Sequence, residues 1–112
     1  MDIAQFTANI AKYAKPVDEA AVAGIAKHLG IALRNRDSSL VSATDPSELE
    51  RVRESWLKKK LARKESDSDL DKAIAAVMAK MKDEHAKHRV TVYYLLAEHF
   101  KQLAALHPKA KA

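Results

Sequence analysis

A chain of 112 residues makes one domain, and with 47% apolar and 31% charged residues it is too apolar to remain disordered. It has no Cys, which excludes disulfides, thiolate nucleophiles and Cys-based metal centres, and its two Gly and three Pro are too few for the many turns of an all-β fold. The net charge of +5 bears on solubility and association rather than on fold.

The pattern predicts five helices in a compact all-α bundle. Helix 1 runs from about Ile3 to Ala14, with Ile3, Phe6, Ile10 and Tyr13 at helical spacing and Asp2 near its free amides. Pro16 ends it. Helix 2 runs from Glu19 to Leu29, capped by Asp18 and closed by Gly30. Gly24 inside it costs about 1 kcal/mol against Ala, and is read as marking a close helix–helix contact. Ile31 to Ala43 is the least regular stretch, taken as one or two short helical turns.

Helix 3 has the clearest start. Asp45-Pro46-Ser47-Glu48 sets an acid at the cap, Pro at the first position and Glu three residues on. Leu49, Val52, Trp56, Leu57 and Leu61 give its apolar face, which fades near Ala62. Glu54 precedes Lys58 by four residues, the favourable order for an ion pair. After a polar linker at Ser66 to Ser68, helix 4 is expected from Asp69 to Lys82, capped by Ser68, with Leu70, Ile74, Val77, Met78 and Met81 as its stripe. Helix 5 is expected to be the longest, from Glu84 or His85 to Leu106. Val90, Tyr93, Tyr94, Ala97, Phe100 and Leu103 lie on one face, and the β-formers of Val90 to Leu95 make a strand the rival. Residues 1–107 are read as a single helical domain and 108–112 as a flexible tail.

Three stretches carry a resemblance. They are Leu29 to Val41 (LGIALRNRDSSLV), Glu50 to Leu61 (ERVRESWLKKKL) and Arg89 to Phe100 (RVTVYYLLAEHF). Their order and spacing resemble the domain of unknown function 2853 family of short bacterial proteins, over nearly the whole chain. The resemblance implies a compact helical fold. It implies no activity, and no functional residues carry over from it.

The charge is local. Arg51 to Lys64 holds seven Lys or Arg and one acid, a net of +6; Glu65 to Asp71 holds four acids and no base, a net of −4. Arg51, Arg53, Lys58, Lys59, Lys60, Arg63 and Lys64 are therefore the candidate anion or nucleic-acid contacts, and counting 100° per residue groups Arg53 with Lys60 and Lys64. The plainer reading is a solvated face partly paired with the acids that follow. His85 and His88 share a helix face, with Asp83 or Glu84 nearby, but a metal site needs three or four converging ligands, and none is assigned. Tyr93, Tyr94, Trp56, Met78 and Met81 are read as core rather than as base-stacking or cofactor contacts. Arg34, Arg36, Ser38 and Ser39 could hold an anion, although Asp37 fits a turn better.

No nucleophile–base pair, paired carboxylates or phosphate loop of recognisable spacing occurs, so no catalytic residue and no cofactor is assigned. The N-terminus lacks a signal pattern, and Val90 to Ala97 is far short of the roughly 20 apolar residues of a membrane span. The expectation is a cytoplasmic, non-enzymatic binding or protein-interaction module, with a protein partner or a second copy as its ligand. Weak sequence-independent nucleic-acid binding through residues 51–64 is the alternative, and an enzyme of unrecognised type the third reading.

Overall fold

The computed structural model describes residues 3–14, 17–30, 40–42, 45–84 and 87–106. Its elements are α1 (Ile3–Ile10), α2 (Glu19–Leu29), β1 (Leu40–Val41), α3 (Pro46–Arg51), a π-helical segment (Val52–Lys60), α4 (Asp67–Lys80), β2 (Lys87–His88), α5 (Arg89–His99) and a 3₁₀ turn (Leu103–Leu106). The fold is mostly α, as expected, with one small addition: β1 and β2 pair antiparallel, Leu40 opposite His88 and Val41 opposite Lys87.

The core is organised around α5. A surface helix is apolar on one stripe, but every residue from Arg89 to Ala97 is buried. The single-face expectation for this helix is therefore corrected: α1, α2, α4 and β1 all pack on it. Trp56 stacks on Tyr93, ring centroids 4.3 Å apart at 18°, and its indole N–H donates to the Tyr93 carbonyl at 3.2 Å. The Tyr94 hydroxyl accepts from the Asp18 amide at 2.8 Å, tying α5 to the start of α2. Met78 and Met81 are buried, as are the other residues of the α4 stripe. At the α1 end, Thr91 donates to Asn9, and the Asn9 amide donates to Glu84 at 2.6 Å, so a polar clip closes that side.

Several boundaries differ from the sequence expectation. α1 stops at Ile10, and residues 11–14 tighten into turns, with the Tyr13 amide on Ile10 O at 2.8 Å. α2 matches in extent and caps: Asp18 Oδ1 accepts from the Ala21 amide at 3.1 Å, and Gly30 has φ 45°. A Cβ on Gly24 would lie 1.7 Å from the Leu106 carbonyl oxygen, so the close contact is with the 3₁₀ turn rather than with another helix. Of the stretch read as short helical turns, Leu40 and Val41 are strand, because Val41 is buried beside the β2 backbone; residues 31–39 and 43–44 lie outside the described residues. α4 begins two residues early, because Ser66 rather than Ser68 accepts from the Asp69 amide, at 3.2 Å, and it ends at Lys80.

α5 starts at Arg89, since Lys87 and His88 are taken by β2, and it ends at His99 rather than Leu106. The stop is a left-handed residue: Lys101 has φ 59°, the Gln102 amide bonds Ala97 O at 2.8 Å, and the Lys101 amide bonds Glu98 O at 3.0 Å. No helix of the described residues is long and apolar enough to cross a membrane. The tail 108–112 lies outside the described residues.

Candidate functional site

The basic stretch begins as α3, where Asp45 Oδ1 accepts from the Ser47 amide at 2.9 Å and Pro46 sits at the first position. Glu48 does not complete a capping box. Its carboxylate is bound by the buried Arg89, whose guanidinium also reaches Leu40 O at 3.2 Å and the Tyr93 hydroxyl at 3.4 Å. Burial works against the charged Arg89, but the Tyr93 and Glu48 contacts outweigh it and hold it above its ordinary range.

From Val52 the helix widens to i→i+5 bonds. The buried residues Val52, Trp56, Leu57 and Leu61 recur at intervals of four and five, which suits this wider winding. The segment ends with the Leu61 amide on Trp56 O at 2.9 Å and the Arg63 amide on Leu57 O at 2.8 Å, across Ala62 at φ 55°. Gln102 seals this end, its amide donating to Leu61 O at 3.0 Å while its oxygen accepts from Arg63 at 3.1 Å.

This winding redistributes the cations. Arg53 and Lys58 face α4. Arg53 lies 3.0 Å from Asp71, 3.7 Å from Asp67, 2.9 Å from Glu54 and 3.9 Å from Glu50. Lys58 lies 2.6 Å from Asp67 and 3.0 Å from Glu54. The Lys58 contact first, and Arg53 after it, hold Glu54 and Asp67 below the ordinary carboxylate range. Arg63 is bound to Glu65 and lies over the Phe100 ring, 4.5 Å from its centroid. Arg51 meets Glu48 at 3.7 Å.

Lys59, Lys60 and Lys64 are exposed and form no ion pair among the described residues. Lys60 projects toward α2, where burial first and its charge second lower the pKa of His28. The 100° count that grouped Arg53 with Lys60 is thus overturned by the wider helix.

Beside this lattice, α3 and α4 enclose a groove of about 340 Å³. Leu49, Ile74, Ala75 and Pro46 form its apolar part, and Glu50, Arg53 and Asp71 its polar edge. That volume falls in the roughly 300–1,000 Å³ range of ligand sites. Sequence reading missed the groove, because it exists only once α4 is docked. The one advance signal was the acid run Glu65 to Asp71, counted as neutralising charge rather than as a wall.

Other candidates are dispersed. His88 is half-buried, its ring 5.6 Å from Phe6; His99 is exposed beside Phe100. His85 and the Arg34 to Ser39 cluster lie outside the described residues, and no metal-binding group of three His, Asp or Glu occurs among those that are described.

These features define a mostly helical protein with a buried central helix and an ion-paired face between the π-helical segment and α4. The chain belongs to the family described as protein of unknown function, DUF2853, whose model matches residues 5–104. No curated protein matches it.

Proposed function

We propose that the protein is a cytoplasmic, non-enzymatic module that binds a protein partner. The observation that carries this reading is the α3–α4 groove, an apolar concavity edged by ion pairs on otherwise charged helices. The cations nearest it support a recognition role rather than acid–base chemistry, since Arg53 and Lys58 are each locked to two or more carboxylates. The test is a photoreactive amino acid placed at the exposed Ala75, with the same group at Lys59 as control, in living cells. A discrete protein adduct at position 75 and none at 59 is the expected result. Equal labelling at both positions, or none at 75, overturns the reading.

A second reading is weak nucleic-acid binding, favoured by the exposed Lys59, Lys60 and Lys64. Fluorescence anisotropy with labelled duplex DNA and single-stranded RNA tests it. Three phosphate contacts give a slope in log K against log salt of about −2.7 on duplex DNA and about −2 on single-stranded RNA, abolished by changing all three lysines to Glu. No binding at low salt retires this reading.

A further inference from the structure

The charge around the groove names the chemistry of its occupant. Of the charged side chains that line it, two are carboxylates (Glu50 and Asp71) and one is a cation (Arg53), a net of −1 on a chain whose net is +5, and beyond the rim Lys58 is held between Glu54 and Asp67. The cations are turned inward: the Arg53 side chain is only 16% exposed, against 65% for Glu50 and 52% for Asp71. An approaching anion would have to displace carboxylates already held by Arg53, whereas an approaching cation meets exposed oxygens directly. Between those oxygens lies the apolar floor of Leu49, Ile74 and Ala75. The walls are two helices, the geometry into which a third helix docks.

We infer that the groove receives an amphipathic basic helix of a protein partner. One apolar side chain rests on the Leu49–Ile74–Ala75 floor, and Lys or Arg side chains a turn away lie against Glu50 and Asp71. The inference rests on the reading of the protein as a partner-binding module and names the class of partner. It differs from binding through Lys59, Lys60 and Lys64, which would select an acidic ligand.

Three fluorescein-labelled helical peptides of about 15 residues test it against the full chain: an amphipathic Leu/Lys peptide, the same pattern with Glu for Lys, and a scrambled Leu/Lys sequence. Anisotropy is read at low and physiological salt. The amphipathic basic peptide binds roughly tenfold more tightly than either control, and its affinity falls with salt. Glu50→Lys weakens it about fivefold, Ala75→Arg abolishes it, and Lys59→Glu leaves it unchanged. Both groove positions are exposed, so the variants keep their helical circular dichroism. Equal binding of the acidic and basic peptides, or binding that survives Ala75→Arg, overturns the inference. If Ala75 cross-links a partner in cells but the basic peptide does not bind, the partner class is wrong while the module reading stands. A dimer in sedimentation that Ala75→Arg dissolves also overturns it, since the occupant would then be a second copy.

Discussion

Among the described residues, two non-glycine residues hold left-handed backbone, Ala62 at φ 55° and Lys101 at φ 59°, and each ends a helical segment. A Cβ is strained there, and glycine is not. Ala62→Gly and Lys101→Gly are each expected to raise stability by about 0.5–1 kcal/mol in urea unfolding, the opposite of the usual cost of glycine. Gly24 has the reverse constraint. Its Cβ position is filled by the Leu106 carbonyl, so Gly24→Ala is expected to cost about 2 kcal/mol or more by forcing the 3₁₀ turn off α2. Arg89 is buried and binds the Glu48 carboxylate. Glu48→Gln weakens that charge-assisted contact, and a loss of about 1–3 kcal/mol is expected in urea unfolding. The Glu48→Gln, Arg89→Met double variant should recover part of it, and a double-mutant cycle measures how much.

At the scale of elements, the contact of the π-helical segment with α4 is an electrostatic clamp with a defined pH response. Glu54 and Asp67 at the clamp, Glu65 beside Arg63 and Glu84 beside Asn9 all have pKa values lowered by their partners. A carboxylate whose folded pKa lies below its unfolded value contributes stability above the unfolded value and loses it as pH falls. The carboxylate contribution is therefore expected to hold down to about pH 5 and the urea midpoint to drop below about pH 4.5, a drop reduced in Lys58→Met, after a separate fall below pH 6.5 from His28, whose folded pKa is lowered by burial and then by Lys60. At the alkaline end the sign reverses. Burial, and then Glu84, raise Tyr13 from 10.0 to about 12, so its contribution is complete below pH 10 and is lost as the pH rises toward 12. Tyr13→Phe should flatten that alkaline loss. The elements themselves were largely legible, because Asp18, Gly30 and Asp45-Pro46 act locally, through caps that need no tertiary context. What local rules could not reach was non-local. The left-handed turn at Lys101 carries no glycine to announce it. The choice of Ser66 over Ser68 lines Asp67 and Asp71 up with Arg53. The π winding answers to Trp56 stacking on Tyr93, 37 residues away. All seven candidate cations were visible in the sequence, but which of them α4 neutralises depended on packing.

Over the whole molecule, charge is segregated: the α3–α4 face is net acidic, while Lys59, Lys60 and Lys64 extend from the end of the same segment. Burial is graded as well. α5 is enclosed from Arg89 to Ala97, whereas α3 buries none of its residues. Amide hydrogen exchange is expected to be slowest in α5 and α4 and faster by orders of magnitude in α3, with the α3 amides protected further when a partner fills the groove. One feature of the core also makes the protein its own optical sensor. Trp56 is the sole tryptophan, sandwiched between Tyr93 and, at 5.3 Å, His28. An imidazolium beside an indole quenches its emission, so fluorescence intensity followed against pH titrates His28, with a midpoint below 6.5 because burial and Lys60 both oppose the proton. His28→Gln erases that step and leaves a fixed, dye-free signal for unfolding.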